Sequence, residues 1–135
     1  MGKEAIAEIV RKAESLSDKP EEMEVFGQEV TRGLFGDEAV YVGGLLDERG
    51  WGYFLHPRKG AAAISPAGKI FQSKDWGPRI AKDRLPAFLE KLGYPFVDAL
   101  MLARRISYGD AIRLFRAMVE GNRSLALDIA AQYHK

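Results

Sequence analysis

The chain has 135 residues and a mass of 15.0 kDa, with 47% apolar and 29% charged side chains, no Cys and a formal net charge of +1. That composition fits one soluble globular domain and is too apolar for wholesale disorder. The missing Cys excludes a disulfide framework and any thiolate metal site.

A chain this long buries roughly two thirds of its unfolded surface, enough for a core without covalent staples. The near-zero net charge hides an asymmetry: residues 1–44 carry −5, residues 45–85 carry +4 and residues 86–135 carry +2. An acidic front and a basic remainder hint at an anionic partner, or at faces that pair within the fold. Glu4, Glu8, Glu14, Asp18, Glu21, Glu22 and Glu24 interrupt the N-terminal region, so no signal-peptide apolar stretch is present. No apolar run approaches the roughly 18 residues of a spanning helix, and a cytoplasmic location without membrane contact is expected.

Ile6, Ile9, Val10, Ala13 and Leu16 recur at helical spacing and predict a first helix. Asp18 with Glu21 reads as the cap of a second, whose stripe is Met23, Phe26, Val30 and Leu34. Gly27 and Gly33 weaken it by roughly 1 kcal/mol each relative to Ala. Residues 37–50 read two ways. Asp37 would cap a helix with Ala39, Val42, Leu45 and Leu46 on one side, whereas Ala39 to Val42 is a good strand ended by Gly43-Gly44. The helix is favoured.

Trp51 to His56, Ala61 to Ile64 and Lys69 to Gln72 follow as three short strands. Pro57 to Gly60 joins the first two, and Ser65-Pro66-Ala67-Gly68 suits a type I turn before the third. Asp75 to Pro78 reads as a connector. Leu85, Phe88, Leu89 and Leu92 mark a short helix ended by Gly93. Residues 96–106 are apolar on nearly every side until Arg104-Arg105, the pattern of a buried helix. Ser107 and Asp110 cap the next, with Ile112, Phe115 and Val119. Asn122 or Ser124 starts the last, with Leu125, Ile129 and Tyr133.

Few residues point to chemistry. His56, before Pro57, has no second ligand at metal spacing, and His134 is penultimate. The adjacent carboxylates Glu21-Glu22, Asp37-Glu38 and Asp47-Glu48 do not share a helix face. Ala63 to Ile70 resembles a phosphate loop but lacks the first Gly and the final hydroxyl. No metal, cofactor or catalytic residue is assigned, and enzymatic activity is not expected.

Binding signals are stronger. Trp51, Tyr53 and Leu55 alternate onto one strand face, with Phe54 and His56 on the other. Arg58, Lys59, Lys69 and Lys74 lie near the turns and ends. Aromatics interleaved with cations can stack bases and neutralise phosphates. The competing reading makes the aromatics core and the cations solvated. Trp51, Tyr53 and His56 are therefore candidate ligand contacts. Arg104, Arg105, Arg113, Arg116 and Arg123 form a second cluster, suited to phosphate or to internal carboxylates.

Residues 37–72 resemble a winged-helix segment. The resemblance rests on Leu45-Leu46-Asp47-Glu48-Arg49-Gly50, the strand Trp51 to Leu55, the basic turn Pro57 to Gly60, and Ile64-Ser65-Pro66-Ala67-Gly68. It covers about a quarter of the chain and implies a recognition helix at 38–49 with Arg58-Lys59 at the wing tip. That helix would carry only Arg49 as a cation beside Glu38, Asp47 and Glu48.

The sequence thus predicts a single α+β domain over 1–135, mostly helical. It would comprise N-terminal helices over 1–50, a central three-stranded antiparallel meander over 51–73 and a C-terminal helical subdomain over 78–135. The expected function is a small non-enzymatic binding or regulatory module that engages a protein partner or forms a homodimer. The alternative is nucleic-acid binding through the winged-helix-like segment and the Arg cluster. Its candidate anion contacts are Arg58, Lys59, Lys69, Arg104, Arg105, Arg113 and Arg116.

Overall fold

A computed structural model describes residues 3–16, 18–43, 51–65 and 69–134, with backbone alone at 3–5 and 51. The described residues form six helices and a four-stranded antiparallel sheet. The chain divides into two compact units, residues 1–76 and 77–135.

The first unit holds α1 (Lys3–Ser15), α2 (Pro20–Phe35), β1 (Val40–Tyr41), β2 (Trp51–His56), β3 (Gly60–Ile64) and β4 (Ile70–Ser73). Ile6, Val10, Ala13 and Leu16 of the first helical stripe are buried. They meet Phe26 and Val30 of α2 and Tyr41, Phe54, Ala62 and Ile64 of the sheet in one core. Phe54 anchors it, with ring centroids 4.9 Å from Phe35 and 5.5 Å from Tyr41. Asp18 does not cap α2. The helix starts at Pro20, whose missing N–H and preset φ suit a first helical position.

The meander has four strands rather than three, in the order β1-β2-β3-β4. Val40 pairs with Leu55 and Tyr41 with Phe54, so residues 1–50 are not wholly helical. The favoured helix at 37–50, and with it the recognition helix at 38–49, fails at Val40–Tyr41. The rest of that segment, 44–50, lies outside the described residues, as does the turn at 66–68. β-branched and aromatic side chains at 40–42 fit a pleated surface, and the neighbouring β2 supplies the pairing that makes the strand win. Register also departs from simple alternation in β2. Trp51 pairs with Ile64 and Tyr53 with Ala63, leaving Gly52 as a bulge at φ +73°. The regular two-residue alternation of β2 therefore runs from Tyr53 onward.

The second unit contains α3 (Trp76–Lys91), α4 (Phe96–Arg105), α5 (Tyr108–Val119) and α6 (Arg123–Ala131), with Trp76 counted in the first unit. The expected connector at Trp76-Gly77-Pro78 is instead the first turn of α3, where Pro is tolerated. Ser107 caps α5 by accepting from the Asp110 N–H at 3.2 Å, and Asn122 caps α6 by accepting from Leu125 at 3.2 Å. Phe88 meets Phe115 edge-on at 4.8 Å.

Candidate functional site

A cleft of about 210 Å³ opens between the C-terminal end of α2 and the helix-facing side of the sheet. Leu34, Phe35, Phe54 and Ile70 supply apolar walls, and His56, Lys59 and Gln72 bring polar groups to it. Its lining mixes apolar and polar surface in similar measure, and its volume lies below the roughly 300–1,000 Å³ of small-molecule sites.

His56 is 6% exposed and is committed to the β2–β3 turn. Its Nδ1 accepts from the backbone N–H of Arg58 at 3.0 Å and of Lys59 at 3.1 Å. The ring proton therefore sits on Nε2, which lies 3.4 Å from Glu38 Oε2. Glu38 also accepts from the Arg58 guanidinium. Glu38, His56 and Arg58 thus tie the turn to the segment before β1. A His whose Nδ1 is filled by turn amides orders the chain there, and that nitrogen is not free to take a substrate's proton.

The two sheet edges differ. On β1 the Gln28 side chain donates to Tyr41 O at 2.9 Å and accepts from Tyr41 N–H at 3.3 Å, which closes that edge. On β4, Ile70, Phe71 and Gln72 are exposed, Phe71 at 46%.

The proposed site residues divide between the two units. Tyr53 is half-buried and points to the sheet face opposite His56; the Trp51 side chain lies outside the described residues. Lys59 lines the cleft, and Lys69 lies just before β4, with its N–H donating to Ser65 Oγ at 3.0 Å. Arg58 is engaged by Glu38. The remaining Arg residues belong to the second unit. Arg113 pairs with Asp110 at 2.8 Å, and Arg123 donates to the Lys91 and Leu92 carbonyls at 3.1 and 3.0 Å, capping the end of α3. Arg116 is half-buried, whereas Arg104 and Arg105 end α4 exposed.

The helix expected to be buried on all sides is not. Ala99, Leu102 and Ala103 face inward. Phe96, Val97, Leu100 and Met101 are 58%, 63%, 37% and 44% exposed. Their spacing places all four on one side of α4, with Arg104 in line. A contiguous apolar helix face in water is a candidate association surface. Sequence reasoning identified the apolar helix but not its outward side, because both sides of α4 are apolar and periodicity cannot say which is covered. Gln28 was missed as well. A polar side chain in mid-helix gives no local signal of a strand edge thirteen residues on.

Among the described residues no three His, Cys, Asp or Glu side chains are placed to hold a metal ion, and no helix is long and apolar enough to cross a membrane. Comparison with protein-family models, with curated proteins and with solved structures finds no match.

Proposed function

We propose that this chain is a small, non-enzymatic protein-association module whose partner is a second copy of itself. The observation that carries the reading is the outward face of α4: Phe96, Val97, Leu100 and Met101, exposed on one helix side. Charge supports a two-fold, antiparallel pairing of α4 with its copy. Asp98 stands in the first turn of α4 and Arg105 in the last. Antiparallel packing brings Asp98 of one copy toward Arg105 of the other, twice, and opposes the helix dipoles. Four partly exposed side chains offer less than the roughly 800 Å² per partner of a stable interface, so the association is weak and concentration-dependent.

Sedimentation equilibrium tests this reading. The mass should rise from 15.0 kDa toward twice that value with concentration. A Leu100→Lys variant should stay monomeric with an unchanged melting temperature. A wild-type chain that is monomeric at every concentration overturns the self-association reading.

Arg104 and Arg105, exposed at the end of α4, support a second reading as a nucleic-acid contact. It predicts oligonucleotide binding that weakens steeply between about 50 and 200 mM salt and is lost in the Arg104→Ala, Arg105→Ala double variant. Absence of binding at the lowest salt removes it.

A further inference from the structure

We propose that the β4 edge is a strand-addition site for an extended, acidic segment of a different protein, and that one apolar side chain of that segment enters the α2 cleft. In an antiparallel ladder, alternate residues turn their N–H and C=O groups away from the neighbouring strand. Ser65 N–H donates to Lys69 O at 2.8 Å, and the pairs continue as Ile64 with Ile70, Ala63 with Phe71, Ala62 with Gln72 and Ala61 with Ser73. Phe71 and Ser73 therefore bond back to β3, and Ile70 and Gln72 direct their backbone groups outward. Neither outward residue has a backbone hydrogen-bond partner on that side among the described residues. The opposite edge of the same sheet is closed by the Gln28 amide. The open edge at β4 is thus specific to that strand.

The cleft lies where such a strand would place its anchor. A residue bonded across from Ile70 or Gln72 carries its side chain on the face that Ile70 and Gln72 share. Both of those residues line the cleft. Its volume of about 210 Å³ suits one aliphatic or aromatic side chain rather than a drug-sized ligand. Main-chain bonds would give affinity and the anchor specificity, as in other strand-addition complexes.

Charge chooses the partner. Lys69 and Lys74 flank β4 and Lys59 lines the cleft; of the carboxylates near them, Asp75 follows Lys74 and Glu38 meets the cleft residue His56 and is already engaged by Arg58. A second copy adding antiparallel through its own β4 would bring two edges together that each carry Lys69 and Lys74 against one Asp75, so a basic edge gains more from an acidic partner than from its own copy. This proposal rests on residues of the first unit alone and stands whether or not the chain self-associates.

The test is fluorescence anisotropy of the full chain with a labelled peptide of alternating Leu and Thr and two Glu at each end. The same peptide with Lys ends serves as control. The acidic peptide should bind at least about tenfold more tightly than its control, and the Lys69→Glu, Lys74→Glu double variant should invert that preference. Gln72→Pro removes an outward N–H without touching the β3 ladder and should weaken binding about tenfold, whereas Gln72→Ala should bind like the wild type. If Gln72→Pro does not fold, amide exchange on the wild type gives the same reading: Ile70 and Gln72 amides exchange freely alone and slow with peptide. Absent saturable binding at millimolar peptide, equal binding of both peptides, equal binding by a folded Gln72→Pro, or unchanged amide exchange overturns the proposal.

Discussion

Tyr41 packs its ring against the backbone of α2 at Gly27, where an added Cβ would lie 2.7 Å from Tyr41 Cγ. The helix meets β1 at that point only because no side chain intervenes. Gly33, one to two turns on, has open space around it, with nothing within 4 Å of an added Cβ. Two glycines in one helix therefore have opposite consequences. Gly33→Ala should stabilise the chain by about 0.5–1 kcal/mol, the helix-propensity gain. Gly27→Ala should destabilise it by about 1–2 kcal/mol, because the overpacking against Tyr41 exceeds that gain. Urea unfolding of the two variants checks both signs, and a stabilising Gly27→Ala would contradict this packing.

His56 and Arg58 should differ sharply although both contact Glu38. The Arg58 side chain is 70% exposed, and exposed ion pairs contribute little. Arg58→Ala should change stability by less than about 1 kcal/mol. His56→Ala leaves the Arg58 and Lys59 turn amides without their buried acceptor and should cost about 1–3 kcal/mol. Thermal unfolding of the pair, with matched conditions, distinguishes them. Equal effects would mean that the imidazole does not organise the turn.

Asp110 sets an acid dependence in the helical unit. The Tyr133 hydroxyl, which donates to its carboxylate, holds the group below its ordinary value, with further lowering from Arg113 and Ser107 against an opposing desolvation. A depressed carboxylate stabilises the fold above its unfolded value and loses that contribution as pH falls through the folded one. Tyr133→Phe removes the largest cause, so the variant should lose less stability than the wild type between about pH 6 and pH 2. Parallel pH dependences in the two proteins would show that the Tyr133 contact does not act on Asp110.

Much of the architecture is legible in the sequence where one periodicity dominates. The stripe of α1, the Ser107 cap and the strand Trp51–His56 all follow from local pattern, and the structure takes Asn122 of the two starts, Asn122 or Ser124, that the sequence offers for α6. Val40–Tyr41 does not, because a segment that fits two periods is decided by its neighbours, here Leu55, Phe54 and Gln28. The Pro20 start of α2 shows the same limit, since Asp18 and Glu21 satisfy a capping pattern that the backbone does not use. The candidate site was less legible still. Lys59 and His56 do reach one cleft, but its walls come from Leu34, Phe35 and Ile70, residues far apart in sequence whose meeting only the folded sheet creates.

The most direct test of the central claim uses the absence of Cys from the chain. A single Met101→Cys substitution places one thiol near the proposed two-fold axis on α4. Val25→Cys, at a residue 62% exposed on α2, sets the rate of random collision. Under mild oxidation, pairing through α4 predicts that Met101→Cys forms a covalent dimer much faster than Val25→Cys, and that added Leu100→Lys abolishes the difference. Equal cross-linking rates in the two single-cysteine proteins would contradict association through this face.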